Sequence, residues 1–304
     1  MKDVIGFFAY ASTPAEIGQT IESAVATSSR TNTKTVVSTW RALDIVGHFI
    51  SDEVLASIDA ADFLVADISE LNFNVTYEIG YALGKSKRVL LVKNKSLQSQ
   101  GLKISDVGIF DTLGFQEYQN SPELSGFLNN ASAWKSIDVS AALNLKAPVY
   151  LLDTPHKTDW STRIISRIKK GGFIFRNFDP NETPRLSAYD AINQVAQSYG
   201  VVVPLLSTGA TGAAIHNMRA AFIAGLADGM GKAMCILQSG DEPVPVDYRD
   251  FVQVTYHPND VNRAIEVFAS DVTQAFQQLE ASGAKPERSF IKKLNLGATS
   301  AENE

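Results

Sequence analysis

The chain has 304 residues, 45% hydrophobic and 20% charged, which is ordinary for a folded protein and long enough for two domains. Its net charge is -6 and its basic residues are scattered, so we do not expect a nucleic acid as its partner. The N-terminal apolar segment is too short for a signal peptide and no run approaches a membrane span, so we expect a cytoplasmic protein. The single Cys235 and four unclustered histidines argue against a disulfide or a zinc site.

In the first half, short apolar runs alternate with helical patterns. The runs are apolar on both faces, which is typical of parallel strands covered on both sides. They predict strands at residues 4–10, 34–39, 62–67 and 88–93, with a weaker fifth at 107–113. Thr13, Pro14 and Glu16 predict a capped helix start. A later helix is expected from about Asn74 to Gly84.

The same order then begins again, with predicted strands at 147–153, 171–175, 200–206, 232–238 and 250–256. The segment 77–87 aligns without gaps on 222–232, at an offset of 145 residues, and its glycines match there. We infer two tandem α/β domains from one duplication, each a three-layer, flavodoxin- or Rossmann-like fold with a parallel sheet. The expected boundaries are 1–140, 146–284 and a tail at 285–304. The alternative is two unrelated α/β domains placed side by side.

Polar and aromatic residues cluster where the first three strands are predicted to end. In a parallel sheet, ligands bind beyond these carboxyl ends. Asp67 ends the third strand, and Glu78 follows near the start of the next helix. Two carboxylates at one pocket mouth suit cleavage at an anomeric carbon, so we predict both as catalytic. The predicted substrate-binding residues are Tyr10, Ser12, Trp40, Ser69, Asn72, Asn74 and Tyr77.

Each of these residues also has a structural interpretation. Asp67 can cap the loop that follows its strand, and Glu78 can simply complement the helix dipole. The two asparagines are as typical of turns and helix N-caps as of ligand contacts, and the aromatic residues can belong to the core. No glycine-rich phosphate loop of either common type is present, and no cofactor or metal is implied.

The segment ADFLVADISELNFNVTYEIGYALGKSKRVLLV, residues 61–92, resembles the nucleoside 2-deoxyribosyltransferase-like superfamily. The resemblance implies that Glu78 is the glycosyl-accepting nucleophile and that Asp67 lies at the edge of the sugar pocket. It also implies that Tyr77 and the 69–74 loop contact the sugar. The transferases commonly have an acidic residue six positions before the nucleophile, where this chain has Asn72. An amide can bind a hydroxyl but cannot act as the acid.

The resemblance extends to Toll/interleukin-receptor-like domains, which use a glutamate to cleave NAD or nucleotides, often in bacterial defence. In the second copy, the alignment places Ile223 at the position of Glu78 and Leu205 at that of Asp67. Neither residue can carry a proton, so we expect this copy to be non-catalytic. Its loop supplies His216, Asn217 and Arg219 instead, which could contact a phosphate or pair with the first copy.

The leading hypothesis is an N-glycosidase, hydrolase or transferase, that acts on a nucleoside, nucleotide or NAD, with a role in antiphage defence as one setting. The alternative is a nucleotide-sensing or scaffold module that binds its ligand without cleaving it. A third hypothesis is a housekeeping enzyme acting on free deoxynucleosides. In this superfamily a neighbouring subunit often completes the active site, so the resemblance implies a pseudodimer in which the degenerate second copy supports or covers the competent first one. We also expect a homo-oligomer or a regulatory protein partner.

Overall fold

The computed structural model describes residues 4–32, 34–43, 50–97, 101–131, 134–240, 242 and 251–281. It contains two five-stranded sheets, and all strand pairs in both are parallel. This confirms the predicted α/β fold class. The tail predicted at 285–304 lies outside the described residues. None of the helices in the described part of the chain combines the length and the hydropathy that a membrane span needs.

The first sheet has the strand order β2-β1-β3-β4-β5. One face is covered by α1 and α5, which pack on Phe8 and Val65, and the other by α2 and α3, which pack on Phe7 and Leu64. The strands are β1 (Val4–Ala9), β2 (Thr35–Thr39), β3 (Phe63–Asp67), β4 (Arg88–Asn94) and β5 (Phe115–Tyr118). The helices are α1 (Ala15–Thr31), α2 (Ile50–Ala60), α3 (Phe73–Gly84), α4 (Ile104–Val107) and α5 (Ser121–Asn129), with a 3₁₀ turn at Trp40–Ala42. We call this part the first unit.

The second unit follows the same plan. Its sheet has the order β10-β9-β8-β6-β7, so in both units the first strand lies between the second and the third. This shared order supports the inferred duplication. Helices α6 and α9 cover one face of the sheet, and α7 and α8 cover the other. The elements are β6 (Val149–Leu152), α6 (Asp159–Lys170), β7 (Phe175–Phe178), α7 (Ala188–Ala196), β8 (Gly200–Leu205), α8 (Ala213–Gly229), β9 (Ala233–Ser239), β10 (Val252–Thr255) and α9 (Pro258–Ala281).

The fifth strand predicted at 107–113 is wrong. Strand β5 lies later, at Phe115–Tyr118, and the earlier apolar run is instead buried between the two units. Phe110 is fully buried, with its ring edge-on to that of Phe222 on α8 at 6.0 Å. A short apolar run predicts burial but not the partner that buries it, and here the partner is the second unit.

Two further local predictions are corrected. The strand predicted at 171–175 begins only at Phe175, and Ile174 before it is 49% exposed. Helix α1 has Pro14 as its N-cap residue, with no side-chain capping bond, so the capped start predicted from Thr13 and Glu16 does not form. In both cases the residue types are typical of the predicted element, but the element begins one or more residues later than predicted.

Helices α3 and α8 pack backbone against backbone between the two sheets. A Cβ atom placed on any of four glycines would lie far inside van der Waals contact with a carbonyl oxygen of the facing helix. The distances are 2.3 Å from Gly80 to Phe222, 2.0 Å from Gly225 to Tyr77, 2.6 Å from Gly84 to Leu226 and 2.3 Å from Gly229 to Tyr81. Residues 145 positions apart exchange roles, as a twofold axis between the units requires. The glycines that match in the sequence alignment therefore have the same role: each lets the two helix backbones approach closely.

Candidate functional site

A cavity of about 210 Å³ lies beyond the carboxyl ends of β1 and β2, against the start of α3 and one side of α2. Residues that follow parallel strands meet at the same edge of the sheet, and these residues line the cavity. It brings together six of the predicted site residues: Tyr10, Ser12, Trp40, Asn72, Asn74 and Glu78. Apolar side chains of α2, Ile50 and Val54, complete the lining, and the sequence analysis did not place them there.

Glu78 lies in the second turn of α3 and is only 8% exposed. It lines the cavity beside the apolar side chains of Val75 and Val54. In a site with little access to water, a carboxylate interacts more strongly with a positive centre that develops in a ligand than it would in bulk water. Glu78 is thus the group in this cavity best placed for nucleophilic or electrostatic chemistry.

Asn72 is the N-cap residue of α3. Its side-chain oxygen accepts hydrogen bonds from the backbone nitrogens of Asn74, at 2.8 Å, and Val75, at 3.2 Å. The oxygen is therefore committed to the helix start, and the amide nitrogen is the part that can donate to a ligand. An aspartate would cap the helix equally well. The cap thus needs an oxygen acceptor here, but not a charged one.

One wall of the cavity is aromatic. The rings of Tyr10 and Trp40 lie 5.8 Å apart with a 43° tilt, and the Arg41 guanidinium lies 5.3 Å from the centre of the Trp40 ring. The Tyr10 hydroxyl donates to Glu22 at 2.5 Å. Burial and the nearby Glu22 carboxylate raise the pKa of Tyr10, so its phenol stays protonated. Tyr10 therefore serves as a fixed wall. Glu22, which holds it, was not anticipated, because α1 brings it there only through packing.

Asp67 does not share the cavity with Glu78. It is 1% exposed, and its carboxylate accepts hydrogen bonds from the Tyr118 hydroxyl at 2.6 Å and the Ser69 backbone nitrogen at 2.9 Å. Burial raises the pKa of Asp67, while these hydrogen bonds act in the opposite direction. The Ser69 hydroxyl in turn accepts from the Asn94 backbone nitrogen at 2.6 Å. Asp67 and Ser69 therefore tie together the ends of β3, β4 and β5, which is the loop-capping interpretation of Asp67.

Tyr77 faces the second unit. Its side chain is 1% exposed, and its hydroxyl donates to Asp228 of α8 at 2.8 Å. Burial and the Asp228 carboxylate raise the pKa of this phenol. Tyr77 is not among the residues that line the cavity. Although it precedes Glu78 in sequence, it contributes to the contact between the units.

Comparison with protein-family models, curated proteins and solved structures finds no match to this chain. The resemblance of segment 61–92 therefore remains a hypothesis carried by its residues. Within the described ranges, no group of three or more histidine, cysteine or acidic side chains is placed to hold a metal ion.

The second unit has no ionisable side chain at the two positions that correspond to the predicted carboxylates. Ile223 corresponds to Glu78 and is fully buried. Asp67 pairs with Val92 in its sheet and Pro204 pairs with Leu237, and these partners are 145 residues apart. The counterpart of Asp67 is therefore Pro204, one residue before the predicted Leu205. Neither Ile223 nor Pro204 can act as an acid or a base.

Proposed function

We propose that the first unit is an N-glycosidase that cleaves a nucleoside, a nucleotide or NAD, with Glu78 as its nucleophile. The observation that carries this proposal is a nearly buried Glu78 in the same cavity as the Tyr10 and Trp40 rings. The aromatic wall offers a stacking surface for a base, and the carboxylate offers charge for the sugar carbon that bears it. The resemblance of segment 61–92 points to the same chemistry.

In the proposed reaction, the base stacks on the aromatic wall while the sugar lies near the start of α3. A Glu78 oxygen attacks C1′ as the bond from C1′ to the base nitrogen breaks, and the base leaves with the electron pair of that bond. Water or a second base then attacks C1′, releases the Glu78 carboxylate and gives up a proton to solvent or to the departed base. The Asn72 amide and the Ser12 hydroxyl would hold sugar hydroxyls.

A second candidate function is binding of a nucleotide without cleavage. The observation that favours it is that Glu78 is the one carboxylate among the described residues that line the cavity. Asp67 is held elsewhere and Asn72 cannot supply a proton, so a second acid must come from water or from the substrate itself. A sensor with this geometry would be stabilised by a nucleotide that stays intact.

The test is release of free base from NAD and from a panel of nucleosides and nucleotides, followed by chromatography. Glu78→Gln removes the nucleophilic charge with little change in size. Glu70→Gln is the matched control, because Glu70 lies in the same β3 to α3 loop region but does not line the cavity. We expect base release by the wild type and Glu70→Gln but not by Glu78→Gln. If no protein releases base while a nucleotide raises the unfolding temperature and is recovered intact, the binding function replaces the enzyme.

A further inference from the structure

A second cavity, of about 190 Å³, occupies the corresponding place in the second unit. It lies between the loops after β6 and β7 and the first turns of α8, as the first cavity lies between the loops after β1 and β2 and the start of α3. Pro155, Pro180 and Pro184 form much of its wall. Prolines have a restricted backbone and offer no N–H group, so polar recognition must come from the other lining residues, which are Asp106 of α4 and residues of α8. His216 and Arg219 are the α8 side chains that can provide it.

Arg219 is a buried cation at the wall of this cavity, which the Asp106 side chain also borders. It is 4% exposed and takes part in none of the ion pairs found among the described residues. Its guanidinium donates to three backbone carbonyls: Val107 at 2.8 Å, Pro184 at 2.8 Å and Asp106 at 3.3 Å. Carbonyl dipoles satisfy hydrogen bonds but carry no net charge, so the guanidinium can still gain from an anionic ligand. The bonds to Val107 and Asp106 also fix the guanidinium against the first unit.

His216 adds a second polar group of defined tautomer. Its Nε2 atom lies 2.7 Å from the Pro204 carbonyl oxygen, which can only accept, so Nε2 carries the proton. The other ring nitrogen is then an acceptor, suited to a hydroxyl or to the protonated oxygen of a phosphate. Burial lowers the pKa of His216 to about 4, which keeps the ring neutral.

The start of α8 provides a third component. This 17-residue helix has Gly212 as its N-cap, with φ of +77° and no side-chain capping bond, whereas Asn72 caps the corresponding helix α3. An N-terminus without a capping side chain presents the positive end of the helix dipole. The Ala213 nitrogen donates to the Ala210 carbonyl at 3.0 Å, so the donors that this end offers are the backbone nitrogens of Ala214 and Ile215. The Asp106 side chain also borders the cavity, where its Oδ1 accepts from Ser105 at 3.4 Å. The nearby Asp153 carboxylate is paired with Lys157.

We propose that this second cavity binds the phosphate group of a small phosphorylated molecule. Arg219 supplies the charge, the start of α8 supplies N–H donors and His216 accepts from a protonated ligand oxygen. This site is separate from the cavity that contains Glu78, and it does not depend on the proposed glycosidase activity.

The test is isothermal titration of the full chain with inorganic phosphate at low ionic strength, because phosphate carries no base that the first cavity would also bind. Ile215 lines the cavity and is half-buried, so Ile215→Glu and Ile215→Gln place a charged and a neutral side chain of equal size at the same point. We expect the wild type and Ile215→Gln to bind phosphate, and Ile215→Glu to bind at least about tenfold more weakly, because a like charge faces the ligand. Glu78→Gln should bind as the wild type does.

Three outcomes would overturn the proposal: no phosphate binding by the wild type, equal affinities of Ile215→Glu and Ile215→Gln, or phosphate affinity that changes with Glu78→Gln but not with Ile215→Glu. The last would place the phosphate in the first cavity. Circular dichroism and unfolding temperature verify that both Ile215 variants are folded.

Discussion

The contact between α3 and α8 leads to a quantitative prediction for Gly80→Ala and Gly225→Ala. The new Cβ atom would lie 2.3 Å or 2.0 Å from a facing carbonyl oxygen, whereas ordinary contact begins at 3.4 Å. The two helices must therefore separate by about 1 Å over the length of their contact. Such overpacking costs about 1–3 kcal/mol, and alanine returns about 1 kcal/mol through its better helix propensity. Because the separation loosens a whole helix pair, we expect a net loss of about 2 kcal/mol.

Urea unfolding of each variant measures this loss. Gly126→Ala in α5 is the matched control, since a Cβ there meets nothing within 4 Å, and it should stabilise the protein by about 0.5–1 kcal/mol. The double variant Gly80→Ala/Gly225→Ala should lose less than the sum of the two single losses, because both substitutions force the same separation. If Gly80→Ala and Gly225→Ala were as stable as Gly126→Ala, the close packing of the two units would be refuted.

Three further predictions concern single side chains. Tyr118→Phe leaves a buried oxygen of Asp67 without its donor, so urea unfolding should show a loss of about 1–3 kcal/mol. The unfolded chain protonates histidine near pH 6.5 and folded His216 only near pH 4, so this residue costs stability as the pH falls across that window. His216→Gln should therefore lose less stability than the wild type between pH 7 and pH 5, and equal losses would contradict the neutral ring. Asn72→Ala should lose about 1 kcal/mol with the α3 cap while Asn72→Asp retains it, and equal unfolding midpoints for the two would argue against capping.

The strands could be located in the sequence because buried parallel strands are short and apolar on both faces. The run DFLVAD corresponds to β3 and RVLLVK to β4 almost residue for residue, since each is a continuous apolar run bounded by polar residues. The run at 107–113 failed because its apolar residues are buried by another part of the chain, which a local pattern does not encode. The matching glycines indicated a repeat, but only the packed helices show that their shared role is contact with each other.

The candidate site could be predicted in part because most of its residues lie just beyond the ends of predicted strands. Residues that directly follow a strand, such as Tyr10, or lie in the first two turns of the next helix, such as Glu78, converge by the topology of the sheet alone. Asp67 is the last residue of β3, as predicted, but its hydrogen bonds with Tyr118 and Ser69 hold it at the sheet edge and away from the cavity. The orientation of the Tyr77 side chain depends on its hydrogen bond to Asp228, which lies 151 residues later in the chain. Such long-range partners follow from how the two units pack.

The most direct test of the proposed function is a comparison of free-base release by equal amounts of wild type and Glu78→Gln, with the substrate that the panel identifies. The proposal predicts base release by the wild type and a rate at least about a thousandfold lower for Glu78→Gln, because an amide cannot serve as the charged nucleophile. Glu78→Gln should still bind the substrate, since the aromatic wall is unchanged. Equal rates for the two proteins would contradict the assignment of Glu78 as the nucleophile.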